Sequence, residues 1–206
     1  ELEAELKKRG KTEQLEHLLK YNEADFHVVY QEDQLGDGHA ILQAADWINS
    51  EHVAVLFGDD IFSGEHSGIA QLMAAHDALT SDDQGAILAL EKLEDSKISQ
   101  KGIVEVGSIH ATIERLQSIK SLVEKPNLED APSNLGIVGR YIVPRSTIDL
   151  LPSVGASHGG EIRLIDALIE QLGSIPIHGL ECTGIRLDTG TPEGYARAVQ
   201  VLTADL

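Results

Sequence analysis

Apolar and polar residues along the chain alternate between short continuous runs and longer amphipathic stretches. The runs "FHVVY" (26–30), "HVAVLF" (52–57) and "GAILAL" (85–90) are typical of strands buried on both faces. "HAILQAADWI" (39–48) and "GIAQLMAAHDAL" (68–79) have helical spacing. Strands and helices that alternate in this order indicate βαβ units on a mainly parallel sheet.

The middle of the chain has a different pattern. "GIVEVG" (102–107), "ATIERLQSIKSLVEKP" (111–126) and "NLGIVGRYIVP" (134–144) are rich in β-branched residues, which predicts a mixed or antiparallel extension of the sheet. A helix follows a Gly pair in "GGEIRLIDALIEQLG" (159–173), and the last helix is predicted to open near Pro192. With no repeats or linkers, residues 1–206 are predicted to form one α/β domain.

Composition excludes several classes of partner. The chain has 16 Lys and Arg against 34 Asp and Glu, a formal charge of −18, which argues against nucleic acid or an anionic membrane. A phosphorylated ligand would need a metal cation or a few well-placed basic groups. The single cysteine, Cys182, excludes an internal disulfide, and we expect a reducing cytoplasm.

Carboxylates follow two of the predicted strands. Asp59 and Asp60 end the run "HVAVLFGDD", and Asp188 ends "GIRLD". Ligands of open α/β sheets bind beyond the carboxyl ends of strands, and Mg²⁺ prefers carboxylates with water and phosphate oxygens. We therefore expect Asp59 and Asp188 to hold a divalent cation, although the aspartates could equally initiate a turn.

Two loops could contribute to a binding site. In "QEDQLGDGHA" (31–40), Gly36 and Gly38 would allow the backbone to approach a ligand at a helix N-terminus, or form an ordinary turn. In "SLVEKPN" (121–127), the proline biases Lys125 towards extended geometry. Glu124 could accept hydroxyl hydrogen bonds and Lys125 could meet a phosphate, but both can contact one ligand only if the strand end twists. The alternative is an exposed surface pair.

Together and in this order, these segments resemble the sugar-1-phosphate nucleotidylyltransferases, and within them the branch that joins UTP to glucose 1-phosphate. The most specific stretch is "LVEKPNLEDAPSNLGIVGRYIVP", supported by "QEDQLGDGHAIL", "VAVLFGDDIF", "KGIVEV", "GGEIRLIDAL" and "RLDTGTPEGY". The resemblance implies a Rossmann-like fold, a mixed sheet with a small β extension, and transfer of a nucleotidyl group with release of pyrophosphate.

The resemblance also implies roles for particular residues. Asp59 and Asp188 would bind Mg²⁺, and Asp59 and Lys125 would be the catalytic residues, with Lys125 on the sugar phosphate. Gly102 and Glu124 would bind the sugar. Gln31 and Gly36 would face the nucleobase.

Two departures from the family pattern limit what is carried over. "RLDTGTPEGY" looks more like the thymidylyltransferase branch, so dTTP stays an alternative to UTP. The family begins with a strand and a Gly-rich loop, "GxGTR…PK" in outline, and this sequence has no such segment. We therefore expect an N-terminally truncated chain with little turnover, and sheet edges that favour a homo-oligomer.

Two other classes of protein compete with this interpretation. A phosphohydrolase would need two aspartates spaced by one residue after a strand, and neither "GDDIF" nor "LDTGT" has that spacing. A non-catalytic sugar-nucleotide-binding or regulatory module stays open on sequence grounds.

Overall fold

The computed structural model describes residues 1–155 and 160–204. The chain divides into two compact units, Glu1–Tyr30 and Gln31–Leu206. The single domain predicted over residues 1–206 stays a prediction. In the described part of the chain, no helix is both long enough and apolar enough to span a bilayer.

The first unit consists of two short helices, α1 (Leu2–Lys8) and α2 (Thr12–Leu19), and a 3-10 turn at Lys20–Glu23. The strand predicted at residues 26–30 is wrong, because these residues have no regular structure. Phe26, Val28 and Tyr30 are each more than 70% exposed, at 73%, 77% and 81%. A strand requires a paired neighbour, and among the described residues this run has no ladder partner.

The second unit contains all eight described strands, which are β1 (His52–Leu56), β2 (Asp60–Ser63), β3 (Ala86–Lys92), β4 (Gly102–Ile109), β5 (Leu116–Glu124), β6 (Leu135–Pro144), β7 (Ile177–Glu181) and β8 (Ile185–Asp188). Six of them form one sheet in the order β1-β6-β3-β7-β5-β4, and β2 pairs with β8 separately. Its helices are α3 (Asp37–Leu42), α4 (Gly68–Ala78), α5 (Asp95–Ile98), α6 (Arg145–Leu150), α7 (Leu164–Glu170) and α8 (Pro192–Leu202), with 3-10 turns at Ala45–Trp47 and Leu128–Asp130.

The predicted mixed α/β architecture is confirmed. Strands β1, β3, β4 and β7 run in one direction, but β6 runs antiparallel between β1 and β3. As a result β3 and β7 are the parallel neighbours, and the other described pairs are antiparallel. The predicted antiparallel extension corresponds to the β4–β5 hairpin and to β6.

Strand β3 lies at the centre of the core, and side chains on its two faces enter two separate clusters. Leu88 and Leu90 pack with α6 and α7, whereas Ile87 and Ala89 pack with α4. By contrast, the prediction that β1 is buried on both faces is wrong, because Leu56 is 50% exposed. Strand β1 lies at the edge of the sheet, and β6 is its one partner among the described strands.

The helices near the C-terminus follow the predicted boundaries closely. Helix α8 begins at Pro192, as predicted, and the Thr191 hydroxyl accepts a hydrogen bond from the Gly194 amide at 3.1 Å. Helix α7 begins at Leu164 and is followed by Gly173 with φ +79°. Gly159, the first residue of the predicted Gly pair, lies outside the described residues.

Candidate active site

The structure brings Asp59 and Asp188 together. Asp60 and Asp188 are partners in the antiparallel β2–β8 pair, and the Thr189 amide and hydroxyl donate to the Asp59 carbonyl at 2.8 and 2.9 Å. Asp59 Oδ2 and Asp188 Oδ1 lie 2.8 and 3.2 Å from the position that a Cβ on Gly190 would occupy. The two carboxylates predicted to share a metal ion are therefore neighbours.

The donor set fits a cation that is only partly bound by protein. Among the described residues, no lysine or arginine side chain bridges Asp59 and Asp188, and no group of three or more His, Cys, Asp or Glu side chains could hold a metal ion. Mg²⁺ commonly binds through one or two carboxylates together with water and substrate phosphates. The pair Asp59 and Asp188 therefore suits Mg²⁺ in the presence of a phosphate ligand.

Asp60, the neighbour of Asp59, has a structural role. Only 4% of it is exposed, its Oδ2 accepts a hydrogen bond from the Gly139 amide at 2.5 Å, and its Oδ1 forms an ion pair with Arg186. The Asp60 carbonyl also accepts from Arg140. The two consecutive aspartates thus separate into an exposed carboxylate available to a ligand and a buried carboxylate that is already paired.

Arg186 forms ion pairs with three carboxylates, including Asp188. Besides Asp60, its guanidinium contacts Glu91 at 3.1 Å and Asp188 at 3.0 Å. Burial opposes the charge on Arg186, but the three carboxylates raise its pKa overall. Sequence reasoning missed this residue. The available signal was the spacing Arg-x-Asp on a strand, which places Arg186 and Asp188 on the same face.

Asp188 is held in its ionised form. Burial alone would raise its pKa, but the hydrogen bond from Lys101 Nζ at 2.9 Å, the Gly190 amide and Arg186 together lower the pKa to about 2. Lys101 was also missed by sequence reasoning. Its role depends on a contact between residues far apart in the chain, which no local pattern reveals.

Glu124 and Gly102 face each other at the end of the β4–β5 hairpin. They are register partners, and a Cβ on Gly102 would lie 3.1 Å from Glu124 Oε2. Arg163 binds Glu124 at 3.0 Å and Asp166 at 3.2 Å, so the Glu124 carboxylate is fixed in position. Arg163, from "EIRLID", was not predicted as a site residue.

Lys125 does not adopt the extended conformation predicted from Pro126. Its φ is +47°, in the left-handed region, and its amide donates to the Lys101 carbonyl at 3.1 Å. This turn in the backbone overrides the bias of the following proline and brings Lys125 Nζ to 3.6 Å from Glu124 Oε1. Both side chains therefore lie on one side of the chain, the condition needed for a shared ligand.

The glycine loop before α3 is used differently from the prediction. The amides of Gly38 and His39 donate to the Ile162 carbonyl at 2.9 and 3.3 Å, so these donors are occupied within the protein. Gly36 has φ +99°, and a Cβ there would lie 2.5 Å from the same carbonyl. The close approach that Gly36 permits is to Glu161 and Ile162. Gln31 donates to the Gly36 carbonyl at 2.9 Å.

A single cleft contains several of the predicted residues. Its empty volume is about 620 Å³ including the mouth, and Asp59, Gly102 and Glu124 line it together with Asp37 and Lys101. Asp188 lines an adjoining depression that shares Lys101 and Arg186 with the cleft. Gln31, Gly36 and Lys125 are not among the residues that line the cleft.

Comparison with known proteins identifies relatives along nearly the whole chain. The model of the "Nucleotidyl transferase" family matches residues 6–205. The chain is 34% identical over 199 residues to the UTP–glucose-1-phosphate uridylyltransferase YngB of Bacillus subtilis (strain 168), which covers 96% of this chain and 65% of that protein. The chain thus spans about two thirds of the length of this relative.

Solved structures agree with this relationship. The crystal structure of an apo UDP-glucose pyrophosphorylase superposes with a TM-score of 0.85 at 30% identity, covering 99% of this chain and 73% of that one. A UDP-glucose pyrophosphorylase complexed with UDP-glucose gives a TM-score of 0.78 at 32% identity, covering 88% and 67%. The fold predicted from the sequence is confirmed by these neighbours.

Proposed function

The chain belongs to the nucleotidyl transferase family, and we propose that the protein transfers a uridylyl group from UTP to glucose 1-phosphate, giving UDP-glucose and pyrophosphate. Similarity to a protein named as a uridylyltransferase and to a pyrophosphorylase bound to UDP-glucose supports this proposal. The observation that carries it is the pair of neighbouring carboxylates, Asp59 and Asp188, beside the cleft that contains Gly102 and Glu124.

We propose the following division of roles. Glu124, fixed by Arg163, accepts hydrogen bonds from glucose hydroxyls, and the Gly102 backbone contacts the sugar. Lys125 binds the sugar phosphate, because its ammonium lies beside Glu124 with 56% of the side chain exposed. Gln31 and Gly36 face the nucleobase, a role that depends on the resemblance rather than on the contacts described above.

The reaction requires alignment more than proton transfer. The second pKa of a phosphomonoester is about 6, so the attacking oxygen of glucose 1-phosphate is already anionic near neutral pH. It attacks the α-phosphorus of UTP in line, and pyrophosphate leaves with the bonding electrons. No general base is needed, and the protein acts by positioning two anions that repel each other.

Asp59 and Asp188 would hold Mg²⁺, which supplies neutralisation of phosphate charge and a template for the two substrates. The two residues suit this task because their oxygens converge at Gly190 and because the low pKa of Asp188, about 2, keeps that ligand ionised. Lys125 binds the sugar phosphate, and Glu124, held by Arg163, orients the sugar.

Several finer features belong to the same proposal. dTTP stays the alternative nucleotide, on the strength of "RLDTGTPEGY". We propose that the protein acts in the cytoplasm, where Cys182 would stay reduced. Self-association through exposed sheet edges, such as β1, stays a prediction that light scattering would test.

The experiment is a calorimetric titration of the protein with UDP-glucose, with Mg²⁺ and with EDTA, alongside an assay of pyrophosphate release from UTP or dTTP. We expect saturable binding that Mg²⁺ strengthens at least about tenfold, since the cation offsets repulsion between phosphates and carboxylates. Equally tight binding in EDTA would instead favour a regulatory module, and the absence of UDP-glucose binding would overturn the proposal.

A further inference from the structure

Lys101 differs from the other cations of the cleft in how firmly it is held. Arg163 and Arg186 are each bound by two or more carboxylates, and only 7% and 9% of their side chains are exposed. Lys101 has one carboxylate partner among the described residues, Asp188 at 2.9 Å, and 27% of its side chain is exposed. Its ammonium is therefore the more easily released charge.

The position of Lys101 connects the two halves of the site. It directly precedes Gly102, it lines the cleft with Asp59 and Glu124, and it also lines the adjoining depression with Asp188. Its ammonium binds Asp188 Oδ2, whereas Asp188 Oδ1 accepts from the Gly190 amide and lies near Gly190 together with Asp59 Oδ2. A ligand phosphate near Asp59 and Asp188 would thus lie within the region that Lys101 serves.

We propose that Lys101 is a phosphate-binding residue that exchanges partners, binding Asp188 in the free protein and a phosphate oxygen of the sugar nucleotide once a divalent cation occupies Asp188. This inference rests on the proposed function, because it takes the ligand to be a nucleoside diphosphate sugar. The exchange conserves charge pairing. The dication neutralises Asp188 as the ammonium leaves, and the ammonium then neutralises part of the diphosphate.

The negative charge of the protein explains why releasing a lysine would favour binding of a diphosphate. With a formal charge of −18, the protein repels a diphosphate unless local cations are available. Arg186 is unsuited to that task, since removing it from Asp60 would leave a buried carboxylate without its counter-ion. When Lys101 leaves, Asp188 keeps its ion pair with Arg186 at 3.0 Å, and an arriving cation replaces the ammonium charge that Asp188 loses. This replacement couples phosphate binding to metal binding.

The test compares the unmodified protein with Lys101→Met, and with Lys101→Gln as a second variant that keeps a polar end group. The first measurement is the affinity for Mn²⁺ in the absence of nucleotide, determined by electron paramagnetic resonance. Because Lys101 competes with the cation for Asp188, we expect both variants to bind Mn²⁺ about fivefold more tightly.

The second measurement is calorimetric binding of UDP-glucose at saturating Mg²⁺. Here Lys101 would contact the ligand, so we expect both variants to bind UDP-glucose roughly tenfold more weakly. Lys92→Met is the matched control, because Lys92 pairs with Glu181 on the surface outside the cleft. It should change neither dissociation constant.

Exchange of partners predicts that the Lys101 variants bind Mn²⁺ more tightly and UDP-glucose more weakly, and this combination distinguishes it from the alternatives. If Lys101 only orients Asp188, both affinities fall, and if it is a bystander, neither changes. Either result would overturn the inference. If the unmodified protein fails to bind UDP-glucose, the proposed function fails separately, and the Mn²⁺ measurement still decides whether Lys101 competes for Asp188.

Discussion

Asp60 and Asp188 are register partners across β2 and β8, and this pairing sets Asp188 beside Asp59. The ladder, together with the hydrogen bonds from Thr189 to the Asp59 carbonyl, fixes the spacing of the two carboxylates that face the solvent. The buried ion pair between Asp60 and Arg186 packs beside Asp188, because Arg186 also contacts Asp188. The candidate metal site is thus built on paired strands rather than on an unsupported loop.

Replacement of Asp59 should abolish the metal dependence of ligand binding without affecting the fold. In Asp59→Asn, we expect Mg²⁺ to strengthen UDP-glucose binding less than about twofold, because one of two anionic ligands is lost. The free energy of unfolding should change by less than about 0.5 kcal/mol, because Asp59 is exposed. Calorimetry and urea denaturation measure the two quantities.

The matched control for this prediction is Asp82→Asn, which removes the same charge at an exposed position away from the cleft. It should behave like the unmodified protein. If Mg²⁺ strengthened UDP-glucose binding equally in Asp59→Asn and in its parent, Asp59 would not be a metal ligand.

Replacement of Glu124 should act on the sugar and not on the nucleotide. In Glu124→Gln, the charge that fixes Arg163 is lost and the side-chain amide must reorient, so UDP-glucose should bind roughly tenfold more weakly. UDP should bind as before. Glu105→Gln, on the same hairpin with an exposed contact to Ser121, is the control. If the affinities for UDP and UDP-glucose fall by the same factor, Glu124 does not contact the sugar.

The fold could be predicted where a run of apolar residues forms a strand with a neighbouring strand on each side, as β3 does between β6 and β7. "GAILAL" is such a run, and β3 is buried on both faces. "FHVVY" and "HVAVLF" are also runs of mostly apolar residues, yet the first forms no strand and the second lies at a sheet edge. The composition of a segment indicates whether it can be buried, whereas its pairing partner depends on the rest of the chain.

The opposite error occurred at β7, which was not predicted. "IHGLE" carries a histidine and a glycine in its middle, so its local preference for a strand is weak. Parallel pairing with β3 and antiparallel pairing with β5 supply the missing stabilisation. Tertiary context therefore outweighs local propensity here.

The candidate site was predictable in its carboxylates and not in its cations. Asp59 and Asp188 could be found because Asp59 lies in the turn that follows β1 and Asp188 ends β8, and ligands bind beyond strand ends. Arg186 and Lys101 act through ion pairs whose partners are set by strand register, which the sequence does not display. Gly36 was recognised as a site of close approach, but the approaching group is the Ile162 carbonyl.

Removal of the Arg186 guanidinium should destabilise the fold strongly. Arg186→Met leaves Asp60 buried without its counter-ion, which we expect to lower the free energy of unfolding by about 3 kcal/mol or more. Lys92→Met, which removes a surface ion pair with Glu181, should cost at most about 1 kcal/mol. Urea denaturation separates the two outcomes, and equal losses would mean that Asp60 does not depend on Arg186.

Stability should depend on the ionisation of Asp188 in acid. Its folded pKa of about 2 lies below the ordinary value of 3.8, so its contribution is complete above about pH 4 and disappears as the pH falls towards 2. Because 36% of the side chain is exposed, screening reduces this contribution to about 1 kcal/mol. Asp188→Asn should therefore be less stable than the parent at pH 6, and the difference should shrink as the pH falls towards 2. A difference that stays constant with pH would contradict this account.

A side chain at Gly36 should disturb the segment that carries Arg163. In Gly36→Ala, φ is +99° and the new Cβ would lie 2.5 Å from the Ile162 carbonyl oxygen, so strain and overlap act together. We expect a loss of about 3 kcal/mol in the free energy of unfolding, with weaker UDP-glucose binding because Arg163 follows Ile162 directly. Gly173→Ala is the control, since its φ of +79° is also positive but no atom lies within 4 Å of the new Cβ. It should cost about 1 kcal/mol from backbone strain alone and leave binding unchanged. Equal losses in the two variants, measured by urea denaturation, would show that close approach to Ile162 is not what requires glycine at position 36.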